Sequence, residues 1–264
     1  MLEEVALLCE DVSLAVADAI KGLIGIPRGD KIVGMGADGT PSKLIDIVAE
    51  NAALNILSSS GIDMKIITEE KGIITFGDKP EFTVVLDPLD GTYNATHNIP
   101  FYSVSIAIGN NEITDIKYAK VFNLSNRTGF TAELGGGAFY NDKEIRVSST
   151  LKIEECAIAA YGYRNGEEVF KRLARQVRRV RSLGSAALEL CYVASGRFDA
   201  FIDLRNRLRP TDIAAGILII NEAGGMVSDG YGNPLCIKLD VISKVNLVSS
   251  NRSIHNSLEK IIGL

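Results

Sequence analysis

The segment Val84-Val85-Leu86-Asp87-Pro88-Leu89-Asp90-Gly91-Thr92 decides the reading of this chain. Val84, Val85 and Leu86 continue an apolar run from Phe82 and read as a buried strand. The strand runs directly into two aspartates three residues apart. Pro88 fixes φ and removes an amide donor, so the chain turns tightly between them. Such a turn can aim Asp87, Asp90 and the Leu89 carbonyl at one point. Two anions at a buried strand end repel each other and lose hydration, so they call for a cation between them. Gly91 and Thr92 then offer backbone amides at a helix start, which suits phosphate. An ordinary surface turn is the alternative; the length of the combined pattern argues against it.

Composition limits what else the site can contain. The 264 residues include 28 Lys+Arg against 33 Asp+Glu, a net charge of −5, with two histidines, four cysteines and no tryptophan. At this length, one large domain or two small ones can bury a full core. A hydrophobic fraction of 46% with 23% charged residues is that of a globular protein. The acidic balance argues against binding nucleic acid or an anionic membrane. Two histidines cannot supply a His-rich metal site. No apolar run reaches the 18 or so residues of a membrane span. The acidic start Met1-Leu2-Glu3-Glu4 is unlike a signal peptide. Scattered Cys9, Cys156, Cys191 and Cys236 read as reduced, mostly buried thiols of a cytoplasmic protein, though a Cys156–Cys191 bridge is conceivable.

Apolar spacing predicts one long helix over 2–25 and a second over 42–57. Strands are expected at 65–68, 82–86, 102–108 and 116–122, and Asn141-Asp142 reads as a hairpin turn. Beyond about residue 150, short strands at 157–160, 198–202 and 245–249 alternate with helices at 167–177, 186–195, 213–223 and 254–262. This gives an α+β half over 1–150 and an α/β half over 151–264, packed as one unit.

Other acids stand near element ends. Glu69-Glu70 follow a strand, where paired glutamates taken alone are a solvated loop. Asp212 opens an apolar helix, where an acid is ordinarily a helix-start residue. Asp46 lies among Leu44, Ile45, Ile47 and Val48, and burying it there costs energy unless it has a role. Gly34-Met35-Gly36-Ala37-Asp38-Gly39 matches the G-x-G-x-x-G of dinucleotide-binding folds. Here it follows a long helix and is followed by Pro41, the wrong context for that fold. His97 reads as a loop or helix-end residue, and His255 belongs to no motif.

Taken together, these segments resemble the magnesium-dependent, lithium-sensitive phosphatase superfamily of inositol monophosphatases and fructose-1,6-bisphosphatases, closest to its archaeal dual-specificity members. Asp87-Pro88-Leu89-Asp90-Gly91-Thr92 is similar to the D-P-x-D-G-T motif, and Thr68-Glu69-Glu70 to G-E-E. Thr211-Asp212-Ile213-Ala214-Ala215-Gly216 is similar to W-D-x-A-G, with Thr211 in place of tryptophan. Gly36 to Lys43 resembles the loop that closes over the metals. The resemblance runs from about Gly36 to Asn251. It implies a layered α-β-α-β-α sandwich and a homodimer.

The resemblance also implies an ion set and a mechanism. Oxygen-only ligands select Mg²⁺ or Mn²⁺. Glu69, Asp87 and the Leu89 carbonyl are expected to hold one metal, and Asp87, Asp90 and Asp212 the second. Asp38 and Glu69 are candidates for a third. Thr92, hydrogen-bonded to Asp46, would orient the attacking water, and the Gly91 and Thr92 amides would bind phosphate. Ten of the 14 arginines fall between residues 164 and 209, and much of this is expected to be a solvated face. Arg181-Ser182-Leu183-Gly184-Ser185 resembles the substrate loop. Tyr161, Arg164 and Arg181 are candidates for a second phosphate, and Asp203 for sugar or inositol hydroxyls. The expected substrates are fructose 1,6-bisphosphate and inositol 1-phosphate. 3′-Phosphoadenosine nucleotides and NADP are alternatives, and the rival classes are a nucleotide-dependent oxidoreductase and a non-catalytic metal-binding module.

Overall fold

A computed structural model describes residues 2–162 and 167–263. Helix α1 (Leu2–Ile20) sets Val5, Leu8, Val12, Val16 and Ile20 on one buried face. It stops well short of the predicted residue 25. Gly22, Gly25 and Pro27 follow, and Gly25 takes φ +67°, a left-handed conformation that does not continue a helix. A short hairpin, β1 (Ile32–Met35) and β2 (Pro41–Lys43), leads into α2 (Leu44–Ser59).

Eight strands then form the first sheet. They are β3 (Met64–Thr68), β4 (Gly72–Phe76), β5 (Phe82–Asp90), β6 (Ser103–Gly109), β7 (Tyr118–Asn123), β8 (Thr128–Glu133), β9 (Gly137–Tyr140) and β10 (Lys143–Glu144). A short helix α3 (Thr92–Thr96) follows β5. The spatial order is β10-β9-β8-β7-β6-β5-β3-β4, with β5 parallel to β3 and antiparallel to β6. Asn141 (φ 46°) and Asp142 (φ 62°) make the turn between β9 and β10, the positive-φ pair that tight hairpins require. Strands β4 and β8 went unpredicted, because β4 is a half-exposed edge and β8 carries glycine and threonines.

The second sheet comprises β11 (Ala157–Tyr161), β12 (Arg179–Arg181), β13 (Ala200–Leu208), β14 (Gly225–Asp229) and β15 (Val245–Asn251), ordered β12-β11-β13-β15-β14. Helices α4 (Glu167–Gln176), α5 (Ala186–Ala194), α6 (Pro210–Glu222) and α7 (His255–Ile262) complete the chain. Helix α6 ends just before Gly224, and Gly225 already belongs to β14. Gly224 alone makes the turn, at φ +85°.

The layers follow from side-chain alternation. Along β5, Val84 and Leu86 face α1 and α2, while Val85 faces the opposite core. That central core holds α5 and α6 between the two sheets, with Ala159, Phe201 and Leu247 contributed by the second sheet. Ile158, Ile202 and Val248 point the other way, onto Leu173, Leu258 and Ile262 of α4 and α7. The result is an α-β-α-β-α sandwich, as expected. Helix α6 is buried from Pro210 through Ile220, which explains its unbroken apolar sequence. All four cysteines are free thiols and Cys236 is exposed. Cys156 lies in the outer core and Cys191 in the central one, so the conceivable bridge between them does not form. Among the described residues no helix is long and apolar enough to cross a membrane.

Candidate active site

The strand β5 does not end before the aspartates; it carries them. Asp87 pairs with Ser105 of β6 and Asp90 with Ser103, so three steps on β5 match two on β6. Side chains alternate along a strand, and residues three apart normally face opposite ways. One extra residue at Pro88-Leu89 makes a bulge that returns Asp90 to the side of Asp87. Proline is tolerated there because a bulge leaves an amide position unpaired. Asp87 is 2% exposed, and its Oδ1 accepts from the Leu89 amide at 2.9 Å. Burial, then the charges of Glu69, Asp90 and Asp212, push its carboxyl well above the usual range. Burial likewise raises Asp90 to about 7, while Ser185 Oγ and the Ala187 amide each donate to its Oδ2 at 2.7 Å.

Two further acids stand at the same place in different helices. Asp46 is in the first turn of α2, and its Oδ2 accepts from the Lys43 amide at 3.1 Å. Asp212 is in the first turn of α6, and its Oδ2 accepts from the Arg209 amide at 2.9 Å. Each carboxylate caps its own helix, which fixes the side chain before any ligand arrives. The other oxygen of Asp46 accepts from Thr92 Oγ1 at 2.8 Å, and that hydroxyl also lies 3.2 Å from the Leu89 carbonyl. Burial raises the Asp46 carboxyl despite the Thr92 bond.

Glu69 leaves the end of β3 into a turn that Glu50 holds from α2. The fully buried Glu50 Oε1 accepts from Thr68 Oγ1 at 2.9 Å and from the amides of Glu70 and Lys71 at 3.2 and 3.0 Å. The β1–β2 loop docks on the same turn, where the Ala37 amide donates to the Glu69 and Glu70 carbonyls. This loop is the glycine-rich stretch, and it is a hairpin tip instead of a dinucleotide-binding turn. Asp38 within it accepts from the Thr40 amide and hydroxyl, both at 2.8 Å. Burial raises Glu69 to about 8, and Arg209 opposes that rise.

Sequence reasoning placed Arg209 only among the many arginines of this region. Its guanidinium reaches Asp38, Glu69 at 2.7 Å and Asp212 at 2.9 Å. The signal available was an arginine three residues before an acid across a helix start, with Pro210 between. Glu50 was missed as well, because an acid one turn after Asp46 looks like any helix residue.

Among the described residues no three of these acids close around a single point, and the Arg209 guanidinium stands between three of them. The donors nonetheless fit a hard divalent cation. Asp87, Asp90, Glu69 and Asp212 are all oxygen donors, and the charge of Asp212 helps to push up the carboxyls of the other three. Arg209 is the stand-in cation that such a cluster attracts.

The expected substrate residues are arranged differently from the clustered acids. Gly184 packs against Gly91: a Cβ on Gly91 would lie 3.1 Å from the Gly184 carbonyl oxygen. Both take positive φ, +90° and +95°, so only glycine allows this approach. Ser185 caps α5 and donates to Asp90, and the Gly184 amide donates to Tyr161 Oη at 2.9 Å. Tyr161 in turn donates to buried Glu189 at 2.5 Å. These polar groups therefore hold the loop in place against the D-P-x-D-G-T segment. Asp203 is fully buried, and Arg205 grips both its oxygens, Nε at 2.9 Å and Nη2 at 2.6 Å. The exposed Arg181 donates to its neighbour's carbonyl at 2.9 Å. Arg164 lies outside the described residues. A cleft of about 630 Å³ opens instead beside Asp38 and Glu69, lined by Thr40, Arg205, Asn206, Arg207, Arg209 and Lys244. His97 ends α3 and stacks on Tyr93 at 3.9 Å, while His255 is buried between Ser228 and Ser250.

The inositol monophosphatase family model matches residues 2–262. The chain belongs to the inositol monophosphatase family. It is 41% identical to a fructose-1,6-bisphosphatase/inositol-1-monophosphatase of Methanothermobacter thermautotrophicus, over 92% of this chain and 91% of that one. It is 39% identical to a bifunctional NADP phosphatase/NAD kinase of Methanococcus maripaludis, over 96% of this chain. The match covers 48% of that relative, so the chain spans about half its length. Among solved structures, a Pyrococcus horikoshii protein with similarities to inositol-1 monophosphatase superposes with a TM-score of 0.86 at 32% identity, covering 99% of this chain and 98% of that one. The layered sandwich is thus the fold of inositol monophosphatase relatives.

Proposed function

We propose that the chain hydrolyses phosphate monoesters at a divalent-metal site, with Mg²⁺ as the metal and fructose 1,6-bisphosphate and inositol 1-phosphate as substrates. The observation that carries this reading is the β5 bulge, which puts Asp87 and Asp90 on one side, in the field of Glu69 and Asp212. Glu69, Asp87 and the Leu89 carbonyl are assigned to one ion, Asp87, Asp90 and Asp212 to a second, and Asp38 with Glu69 to a third. Bound there, such ions neutralise phosphoryl oxygens and acidify a water.

The remaining work falls to the chain's own groups. Thr92 Oγ1 gives its proton to Asp46 in a hydrogen bond, which leaves its lone pairs to accept one from the attacking water. Asp46 is then the proton acceptor, reached through Thr92. The amides of Gly91 and Thr92 hold the phosphate, and the Leu183–Ser185 loop walls it in. Arg207 and Lys244 offer charge to a second anionic group in the cleft. The family resemblance supports a homodimer, and the four free thiols support a cytoplasmic location.

A second reading, removal of a phosphate from NADP, is favoured by the likeness to the Methanococcus maripaludis protein over nearly all of this chain. One assay separates the two. Phosphate release is measured from fructose 1,6-bisphosphate, inositol 1-phosphate, NADP and 3′-phosphoadenosine 5′-phosphate, in EDTA and then in excess Mg²⁺. Release from the first two that requires Mg²⁺ supports the reading. Release from NADP alone favours the second, and no release from any substrate counts against both.

A further inference from the structure

Arg209 carries a positive charge into the centre of the acidic cluster. Its Nη1 donates to Asp38 and, at 2.7 Å, to Glu69 Oε1. Its Nη2 donates to Asp212 Oδ1 at 2.9 Å, and its Nε lies 3.3 Å from Asp212 Oδ2. The side chain is only 15% exposed. Three acids from three separate elements, the β1–β2 loop, the β3 end and the start of α6, thus meet on one planar cation. Charge-assisted bonds of this kind are strong when partly buried, and the guanidinium keeps its proton at any working pH.

The same three acids are assigned above to divalent ions. A carboxylate oxygen that accepts from a guanidinium N–H has that lone pair turned away from a metal. Two cations a few ångströms apart also repel. We propose that Arg209 competes with the divalent metal for Asp38, Glu69 and Asp212, and so weakens metal binding until it is displaced. The inference rests on the ligand assignment made under the proposed function.

Displacement has a destination. The cleft beside Arg209 is lined by Arg205, Arg207 and Lys244 as well as by Asp38 and Glu69. Positive neighbours oppose the arrival of another arginine, and an anion entering the cleft removes that opposition. Metal and phosphate therefore strengthen each other's binding through Arg209, a coupling that thermodynamics requires to be reciprocal. A purely structural counter-ion would behave differently: its loss would cost stability and bring no gain in metal affinity.

The test is calorimetric titration of Mg²⁺ into the full chain after EDTA stripping and desalting, without substrate. Wild type, Arg209→Gln, Arg209→Lys and Asp87→Asn are compared, with circular dichroism to check folding. Arg209→Gln is expected to bind Mg²⁺ about tenfold more tightly than wild type, about 1.4 kcal/mol. Arg209→Lys should fall between them, because an ammonium cannot span three acids. With inorganic phosphate present, the gain of wild type over its phosphate-free value should exceed that of Arg209→Gln. Equal or weaker Mg²⁺ binding by folded Arg209→Gln overturns the competition. If that variant does not fold, Arg209→Lys decides on the same criterion. Failure of the ligand assignment looks different: wild type and Asp87→Asn would then bind Mg²⁺ equally or not at all, and the inference would fall with it.

Discussion

Thr92 Oγ1 lies 2.8 Å from Asp46 Oδ1, across 46 residues of sequence. The bond joins the first turn of α3 to the first turn of α2, and each partner is fixed by its own backbone. Under the proposed function it directs a water and receives its proton. Thr92→Val keeps the shape and removes the hydroxyl, so kcat should fall by roughly 10² to 10⁴, the span of a lost general base. Melting temperature should change little. A kcat within a factor of about three of wild type would remove Thr92 from the chemistry.

The acidic cluster also predicts how the metal-stripped protein responds to pH. Folding raises Glu69 to about 8, Asp90 to about 7 and Glu70 to about 6, against about 4 in an unfolded chain. Between those values the folded protein binds more protons than the unfolded one. Its stability is therefore lost as pH rises from about 4 to about 8. In EDTA the melting temperature should drop across this window, and excess Mg²⁺ should flatten the slope. A melting temperature that climbs with pH in EDTA contradicts the electrostatic account.

Gly216 tests the central layer. A Cβ at this position of α6 would stand 2.6 Å from Leu190 Cδ1 and 2.7 Å from Leu190 Cβ on α5. Gly216→Ala overpacks this helix crossing and should cost about 1–3 kcal/mol, despite the better helix propensity of alanine. Urea unfolding measures it, and a stabilised variant would refute the close approach.

Substrate choice is tested at the cleft. Arg207→Ala and Lys244→Ala should raise KM for fructose 1,6-bisphosphate more than for inositol 1-phosphate, leaving kcat nearly constant. Arg181→Ala, whose guanidinium sits on the neighbouring carbonyl, should raise neither by more than about twofold. A larger effect at Arg181 than at Arg207 would return the second phosphate to the loop that sequence alone suggested.

What the sequence revealed and what it hid divide along physical lines. The β5 segment was legible because a buried strand, a proline and two acids are all local features. Its bulge was not, since register is set by pairing with Ser103 and Ser105 of another strand. Helix α6 was legible from its apolar run, and the first helix was overextended because apolar residues continue past Ile20 while the glycines there turn the chain. Arg209 was hidden because its meaning lies in Asp38 and Glu69, far away in sequence. Tyr161 is a sequence candidate for a second phosphate and Asp203, by resemblance, for sugar hydroxyls, but their partners Glu189 and Arg205 are seen only once the chain is folded.

The central claim is that the Asp87 carboxylate serves a metal on which phosphate release depends. It is tested most directly by phosphate release from fructose 1,6-bisphosphate, comparing wild type with Asp87→Asn, each stripped with EDTA and then resupplied with Mg²⁺. The account predicts release by wild type only after Mg²⁺ returns, and none by the folded variant under either condition. Release by wild type in EDTA, or wild-type release by Asp87→Asn, would contradict it.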